Sequence, residues 1–147
     1  MEEINQELND AILDHLMEPK NYGKLEDPSA VGIGYSDVTN EYVVIYLDMD
    51  KDIIKDIKFM GVGCTDTIVS GSIFTEMIKG ADLEFGNQSA KQLMKNLEKA
   101  PESQRACAEI VIKGYEAAII NLDNRAKGSD EELHKLQIGA VCETEDE

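Results

Sequence analysis

The feature that most constrains the fold is an abrupt change of pattern at residues 61–65, Gly-Val-Gly-Cys-Thr. Apolar, β-branched stretches with short connections precede it, and apolar residues at helical spacing follow it. The chain is therefore predicted to form strands first and helices afterwards. Cys64 lies on the glycine turn at the predicted start of a helix, where the helix dipole favours the thiolate, the form of cysteine that binds metals.

Three strands are predicted ahead of this turn. Residues 31–37 are interpreted as a short edge strand, and residues 42–48 are rich in β-branched and aromatic side chains. An acidic turn at residues 48–52 separates them from a third strand at residues 53–60. Successive strands with such short connections predict an antiparallel meander.

Helices are predicted before and after the meander along the chain, from the spacing of their apolar residues. This order predicts an α+β fold, a three-stranded antiparallel sheet with helices packed on one face. The predicted helices cover residues 4–17, 66–79, 88–99 and 103–124.

Length and charge restrict the class of protein. The 147 residues suit one domain, which we expect over residues 1–127, followed by a flexible acidic tail at residues 128–147. The net charge of −16 argues against nucleic acids and anionic membranes as partners. A cytoplasmic location is expected, because the chain shows neither a secretory signal nor an apolar run long enough to span a membrane.

Four motifs, in order and at matching spacing, carry a resemblance to a known family. They are Ile-Leu-Asp-His with Glu-Pro-Lys-Asn-Tyr-Gly (12–15 and 18–23), the strand 53–59 followed by Gly63-Cys64, the segment 70–80, and Cys107 ahead of Ala-Ala-Ile at 117–119. Over roughly residues 8–125 the chain resembles the U-type iron–sulfur cluster scaffolds, the IscU/NifU N-terminal domain, with a SufE/NifU-like fold.

The resemblance implies a function and a site. Family members hold a 2Fe–2S cluster, or zinc in its place, with three cysteines. Thiolates are soft ligands that suit both the cluster and zinc. It implies that Cys64 and Cys107 bind iron or a cluster and that the chain is an iron–sulfur cluster assembly scaffold or carrier rather than an enzyme. It also implies a cysteine desulfurase and recipient apo-proteins as partners.

The sequence departs from the family pattern at three places. Counting back from Cys64 without gaps puts the first family cysteine at Val38, and Ala106 stands where a histidine often precedes the last cysteine. Of the segment that scaffolds offer to their chaperone only Pro101 remains, which argues against chaperone binding.

Two thiolates are half of a tetrahedral site, so other groups must complete it. The candidates are Asp37 or Asn40, Cys142 folding back from the tail, or a second protomer that gives a homodimeric site with two cysteines from each chain. An idle Cys142 is the simpler interpretation of that residue.

A second hypothesis is a degenerate paralogue without a stable cluster. Such a protein would act as a partner-binding regulator, accept sulfur as a persulfide on Cys64 or Cys107, or bind zinc. A cysteine hydrolase is disfavoured, because it needs a histidine base beside the nucleophile and neither His15 nor His134 lies in a segment expected to reach Cys64.

Overall fold

The structure of the protein is a computed structural model that describes residues 18–37, 39–63, 65–97 and 102–138. The helix predicted at residues 4–17 lies outside these ranges. No helix within them is long and apolar enough to cross a membrane.

Four strands of the described residues form one mixed sheet. They are β1 (Ala30–Tyr35), β2 (Tyr42–Asp50), β3 (Ile53–Val62) and β4 (His134–Gln137), in the spatial order β3-β2-β1-β4. The first three form the antiparallel meander that the sequence predicted, with the hairpin turn shortened to residues 51–52. β4 pairs with β1 in parallel.

Within the part of the chain that the structure describes, three helices follow the meander: α1 (Thr65–Ile78), α2 (Leu83–Leu97) and α3 (Glu102–Ala126). α1 and α3 lie close to their predicted bounds. α2 begins five residues before the predicted position of 88, because the Asp82 carboxylate accepts a hydrogen bond from the Phe85 amide at 2.8 Å and caps the first turn.

α3 crosses the sheet directly over β1, at two glycines. A Cβ at Gly34 would collide with the carbonyl oxygen of Ile110, and one at Gly32 would collide with the carbonyl oxygen of Gly114. The helix therefore runs antiparallel to β1, with its amino-terminal turns toward the carboxyl end of that strand.

The core lies between the sheet and the helices. Alternate residues of β2 and β3 face it, as the period-two pattern requires, and α1 and α3 cover them. The largest fully buried side chains are Tyr115, Phe59, Phe74, Ile45, Leu47, Ile54, Ile57, Ile78, Ile110 and Ile112.

The α+β class is confirmed, and the strand count differs from the prediction. A fourth strand comes from residues 134–137, within the segment expected to be a flexible tail. β1 is consequently an interior strand rather than an edge strand, because β4 pairs with the edge that β2 leaves open. Residues 139–147 lie outside the described ranges.

Candidate metal-binding site

One end of the sheet brings together the segments on which the predicted ligands lie. Tyr35 at the end of β1 pairs with Tyr42 at the start of β2, which pairs with Val62 at the end of β3. Gln137 at the end of β4 pairs with Tyr35. The loop at residues 36–41, the β3–α1 junction and the end of β4 therefore share this end of the sheet, which we call the ligand end.

α3 places Cys107 toward the same end. Cys107 is half-buried, between the buried Ala106 and Ala108, in the second turn of the helix. It precedes Ile110, which lies over Gly34, by three residues, or about 4.5 Å of helix rise. Because α3 and β1 are antiparallel, this rise carries Cys107 beyond Gly34 toward the loop that follows β1.

Asp37 and Asn40 lie on that loop, and both are exposed. Backbone bonds close the loop, from the Ser36 amide to the Glu41 carbonyl and from the Asn40 amide to the Ser36 carbonyl, each 2.9 Å. Asn40 takes a left-handed backbone conformation with φ of 63°. The Asp37 carboxylate accepts a hydrogen bond from the Gln137 side chain at 2.8 Å.

Cys64, Val38 and Cys142 lie outside the described ranges, so the assignment of Cys64 as a ligand stays a prediction. Its chain neighbours are Gly63, which follows β3, and Thr65, which begins α1. Among the described residues, no three His, Cys, Asp or Glu side chains are grouped closely enough to hold a metal ion. Within those ranges, the ligand end presents one thiol and an exposed carboxylate.

A groove of about 530 Å³ opens beside Asp37 and Asn40. It lies on the sheet face that Ile33 and Tyr35 present, opposite the face on which α3 packs against Gly34. Its wall combines aromatic rings with one carboxylate, one carboxamide and one amine. It therefore presents apolar contact area together with one negative and one positive side chain. The residues that line it are Ile33, Tyr35, Ser36, Asp37, Asn40, Tyr42 and Lys135.

A polar cluster at the opposite end of α3 anchors the segment that leads into β4. Buried Asn121 accepts from the Val31 amide at 2.9 Å and donates to the Glu131 carboxylate at 2.9 Å. Arg125 donates to the backbone carbonyls of Glu131 and Glu132, at 3.0 and 2.6 Å. Hydrogen bonds from Asn124, Asn121 and His134 lower the pKa of Glu131 to about 2.

Gln137 is the contact residue that the sequence analysis missed. The signal was present but weak: Leu136 and the buried Ile138 alternate with exposed Lys135 and Gln137, which is the period-two pattern of a strand. His134 contacts the Glu131 carboxylate at 3.1 Å, three residues before the ligand end.

Comparisons with known proteins identify the family of the chain. The NifU-like N terminal domain family matches residues 7–129. The chain is 29% identical to the iron–sulfur cluster assembly scaffold protein IscU 1 of Archaeoglobus fulgidus over 142 residues, 90% of this chain and 93% of that protein. It is 36% identical to the zinc-dependent sulfurtransferase SufU of Bacillus subtilis over 80 residues, 54% of each chain.

The fold has a solved counterpart. The amino-terminal part of a NifU-like protein from Brucella abortus superposes with a TM-score of 0.67, over 78% of this chain and 93% of that one, at 18% identity. That likeness bears on the fold alone, and the family match covers most of the chain. The chain therefore belongs to the NifU-like N terminal domain family of iron–sulfur cluster assembly scaffolds.

Proposed function

We propose that this chain carries iron or a 2Fe–2S cluster as cargo on Cys64 and Cys107, and performs no chemistry of its own. The observation that supports the proposal is the position of Cys107, half-buried on α3 and three residues before Ile110, whose backbone packs on Gly34 near the end of β1. Val62 at the end of β3, two residues before Cys64 in the chain, pairs with Tyr42 at the same end of the sheet.

The chemistry of this end suits a cargo that must later leave. Thiolates are the preferred ligands of iron–sulfur clusters and of zinc, and an exposed site lets a recipient protein approach. Asp37 and Asn40 are exposed oxygen donors on the adjacent loop. The Gln137 side-chain amide donates to one oxygen of the Asp37 carboxylate at 2.8 Å.

Anaerobic reconstitution with ferrous iron and sulfide tests the proposal. The wild-type chain should emerge coloured from a desalting column, and Cys64→Ser and Cys107→Ser should each retain several-fold less iron. Asp123→Asn, which alters an exposed carboxylate at the other end of α3, should retain wild-type iron. Circular dichroism melts of each variant would establish that the folds are unchanged. A colourless wild-type product would overturn the proposal.

A second candidate function is sulfur acceptance, which the likeness to a zinc-dependent sulfurtransferase favours. In that reaction the Cys64 or Cys107 thiolate attacks the terminal sulfur of a persulfide on a cysteine desulfurase. A new S–S bond forms, the desulfurase S–S bond breaks, and the desulfurase thiolate leaves. The accepting thiol then carries one extra sulfur atom.

Mass spectrometry distinguishes this candidate from the first. Incubation with a cysteine desulfurase and cysteine should add about 32 Da per acceptor thiol, an adduct that a reductant removes. The adduct should disappear in the serine variant of the accepting cysteine and persist in the other. A wild-type mass that does not change, with no complex on gel filtration, would exclude both sulfur acceptance and a stable partnership with the desulfurase.

One candidate source of the ligands that complete the site is a second protomer, and the oligomeric state of the loaded chain tests that candidate. If two protomers contribute two cysteines each, loading with iron and sulfide should convert a monomer into a dimer on a sizing column. Loading without a change of mass would place the remaining ligands within one chain.

A further inference from the structure

We infer that two copies of this chain associate through the face of the sheet that the described helices leave uncovered, with the groove beside Asp37 inside the contact. This surface lies on the other side of the sheet from α3, the helix that carries Cys107. The association is therefore independent of the proposed function and needs no metal.

The three described helices all pack on one face of the sheet. α3 packs over Gly34, α1 packs over Phe59 and α2 packs over Ile54. Because side chains alternate along a strand, the chain neighbours of Gly34 and Phe59 point to the other face, which we call the open face. Its members are Ile33, Tyr35, Tyr42, Val44, Tyr46, Lys58, Met60, Val62 and Lys135.

The open face is rich in aromatic and apolar side chains. Three of the five tyrosines of the chain lie on it, and Tyr35 and Tyr42 form a direct cross-strand pair. Among the described residues, none of its apolar members belongs to the buried core cluster or packs against it. Tyr42 is 39% exposed and Val62 is 55% exposed. A contiguous apolar surface of this kind is typical of a protein–protein contact.

The size of the open face suits a reversible dimer. The nine residues of β2 extend over about 30 Å, and four strands spaced by about 4.8 Å span about 19 Å. The face therefore has a projected area on the order of 500 Å², to which the relief of the side chains adds. Specific interfaces begin at about 600 Å² for each partner. We therefore expect a dimer that dissociates on dilution.

The charges of the groove favour a second copy as the occupant. Its wall carries one residue of each sign, Lys135 on β4 and Asp37 on the loop after β1, and both are exposed. In a two-fold dimer every contact between different residues is made twice, so Lys135 of each protomer can pair with Asp37 of the other. A surface with both signs is complementary to itself, whereas a surface for a strongly charged partner carries one sign.

The groove also supplies shape to an otherwise flat sheet. Its volume of about 530 Å³ accepts side chains from the facing protomer, and Tyr42 lines it. Tyrosines at the centre of an interface are among the residues that contribute most to binding, because they combine a large apolar ring with a polar end. Tyr42 is therefore the expected anchor.

The net charge of −16 gives this association a characteristic dependence on salt. The acidic bodies of two copies repel each other over a long range, and salt screens this repulsion while it leaves the apolar contact intact. The dimer fraction should therefore rise as salt is added. A basic partner on the same face would bind more weakly as salt is added.

Sedimentation velocity of the metal-free, full-length chain, with chelator and reductant present, measures the association. The wild type should shift from monomer to dimer as its concentration rises, and Tyr42→Asp should stay monomeric where the wild type is mostly dimer. The matched control is Phe85→Asp, which alters an aromatic residue that is 46% exposed on α2, the helix packed on the other face. It should dimerise as the wild type does. Circular dichroism melts would establish that each variant is folded.

A charge exchange tests the reciprocal pair. Lys135→Glu and Asp37→Lys should each weaken the dimer several-fold, because each places like charges opposite one another. The double variant restores opposite charges and should recover most of the loss. A double variant that dimerises no better than either single variant would contradict the contact through the groove.

Three results would overturn the inference: a wild type that is monomeric at every concentration, a dimer fraction that falls as salt is added, and a Phe85→Asp variant that loses the dimer as fully as Tyr42→Asp. A monomeric wild type whose Tm falls by several degrees in Tyr42→Asp would assign the open face to another segment of the same chain. Cys107→Ser should keep the dimer. The iron-dependent dimer considered above is then measured in Tyr42→Asp, so failure of one association leaves the other testable.

Discussion

The replacement of Asn121 by alanine tests how much stability comes from the polar cluster of Asn121, Arg125 and Glu131, which anchors the segment that leads into β4. Asn121 is fully buried and makes three hydrogen bonds, one from the Val31 amide and two to Glu131. Its oxygen satisfies the Val31 amide one residue before β1 begins to pair with β4 at Gly32.

The expected loss follows from these contacts. Leaving the buried Val31 amide without its hydrogen-bond partner costs about 1–3 kcal/mol, and each lost hydrogen bond to Glu131 costs about 0.5–1.5 kcal/mol. We therefore expect Asn121→Ala to lower the free energy of unfolding by about 3 kcal/mol. For a chain of this length that corresponds to a fall in Tm of roughly 6–12 °C.

The matched control is Asn124→Ala. Asn124 is half-buried and donates a single bond, to the same Glu131 oxygen, at 3.0 Å. Its removal should cost about 1 kcal/mol. Urea denaturation of both variants beside the wild type measures the difference. Equal losses for the two variants would refute the argument that the Val31 amide and the burial of Asn121 set the magnitude.

Three further predictions concern packing and charge. Gly34→Ala would push α3 away from the sheet at Ile110 and should lower the free energy of unfolding by about 3 kcal/mol or more. Urea denaturation measures this loss, and a stability near that of the wild type would contradict the close approach of helix and strand. The Glu131 pKa is lowered from 4.5 to about 2, so its stabilisation is complete above pH 4.5 and is lost as the pH falls toward 2. The stability advantage of the wild type over Glu131→Gln should shrink across that interval in urea titrations at several pH values. Phe59→Ala empties a fully buried position and should cost about 3–5 kcal/mol in the same assay, whereas Phe85→Ala, at 46% exposure, should cost no more than about 0.5 kcal/mol.

The elements that the sequence predicted well are those whose information is local. β2 and β3 alternate buried and exposed residues, and α1 and α3 carry apolar residues at helical spacing around small residues. The predicted start of α2 is five residues late although the signal for the true start is also local, since the Asp82 carboxylate caps the first turn at Phe85.

The fourth strand was missed because its information is distributed over distant parts of the chain. Residues 134–137 form a strand only where β1 offers an unpaired edge and where Asn121 and Arg125 hold the approach to it. The contact between Gln137 and Asp37 joins residues one hundred positions apart, which no local pattern can encode.

The sequence by itself determined the α+β order, the family, and the cysteines worth testing, because helical and strand periodicities and motif spacings are written along the chain. Only the tertiary structure decided that β1 is an interior strand and that β4, after α3, runs parallel to β1 and ends at the ligand end. The physical reason is that a strand acquires its direction from the hydrogen bonds of its neighbour, and the neighbour of β4 lies about a hundred residues earlier in the chain.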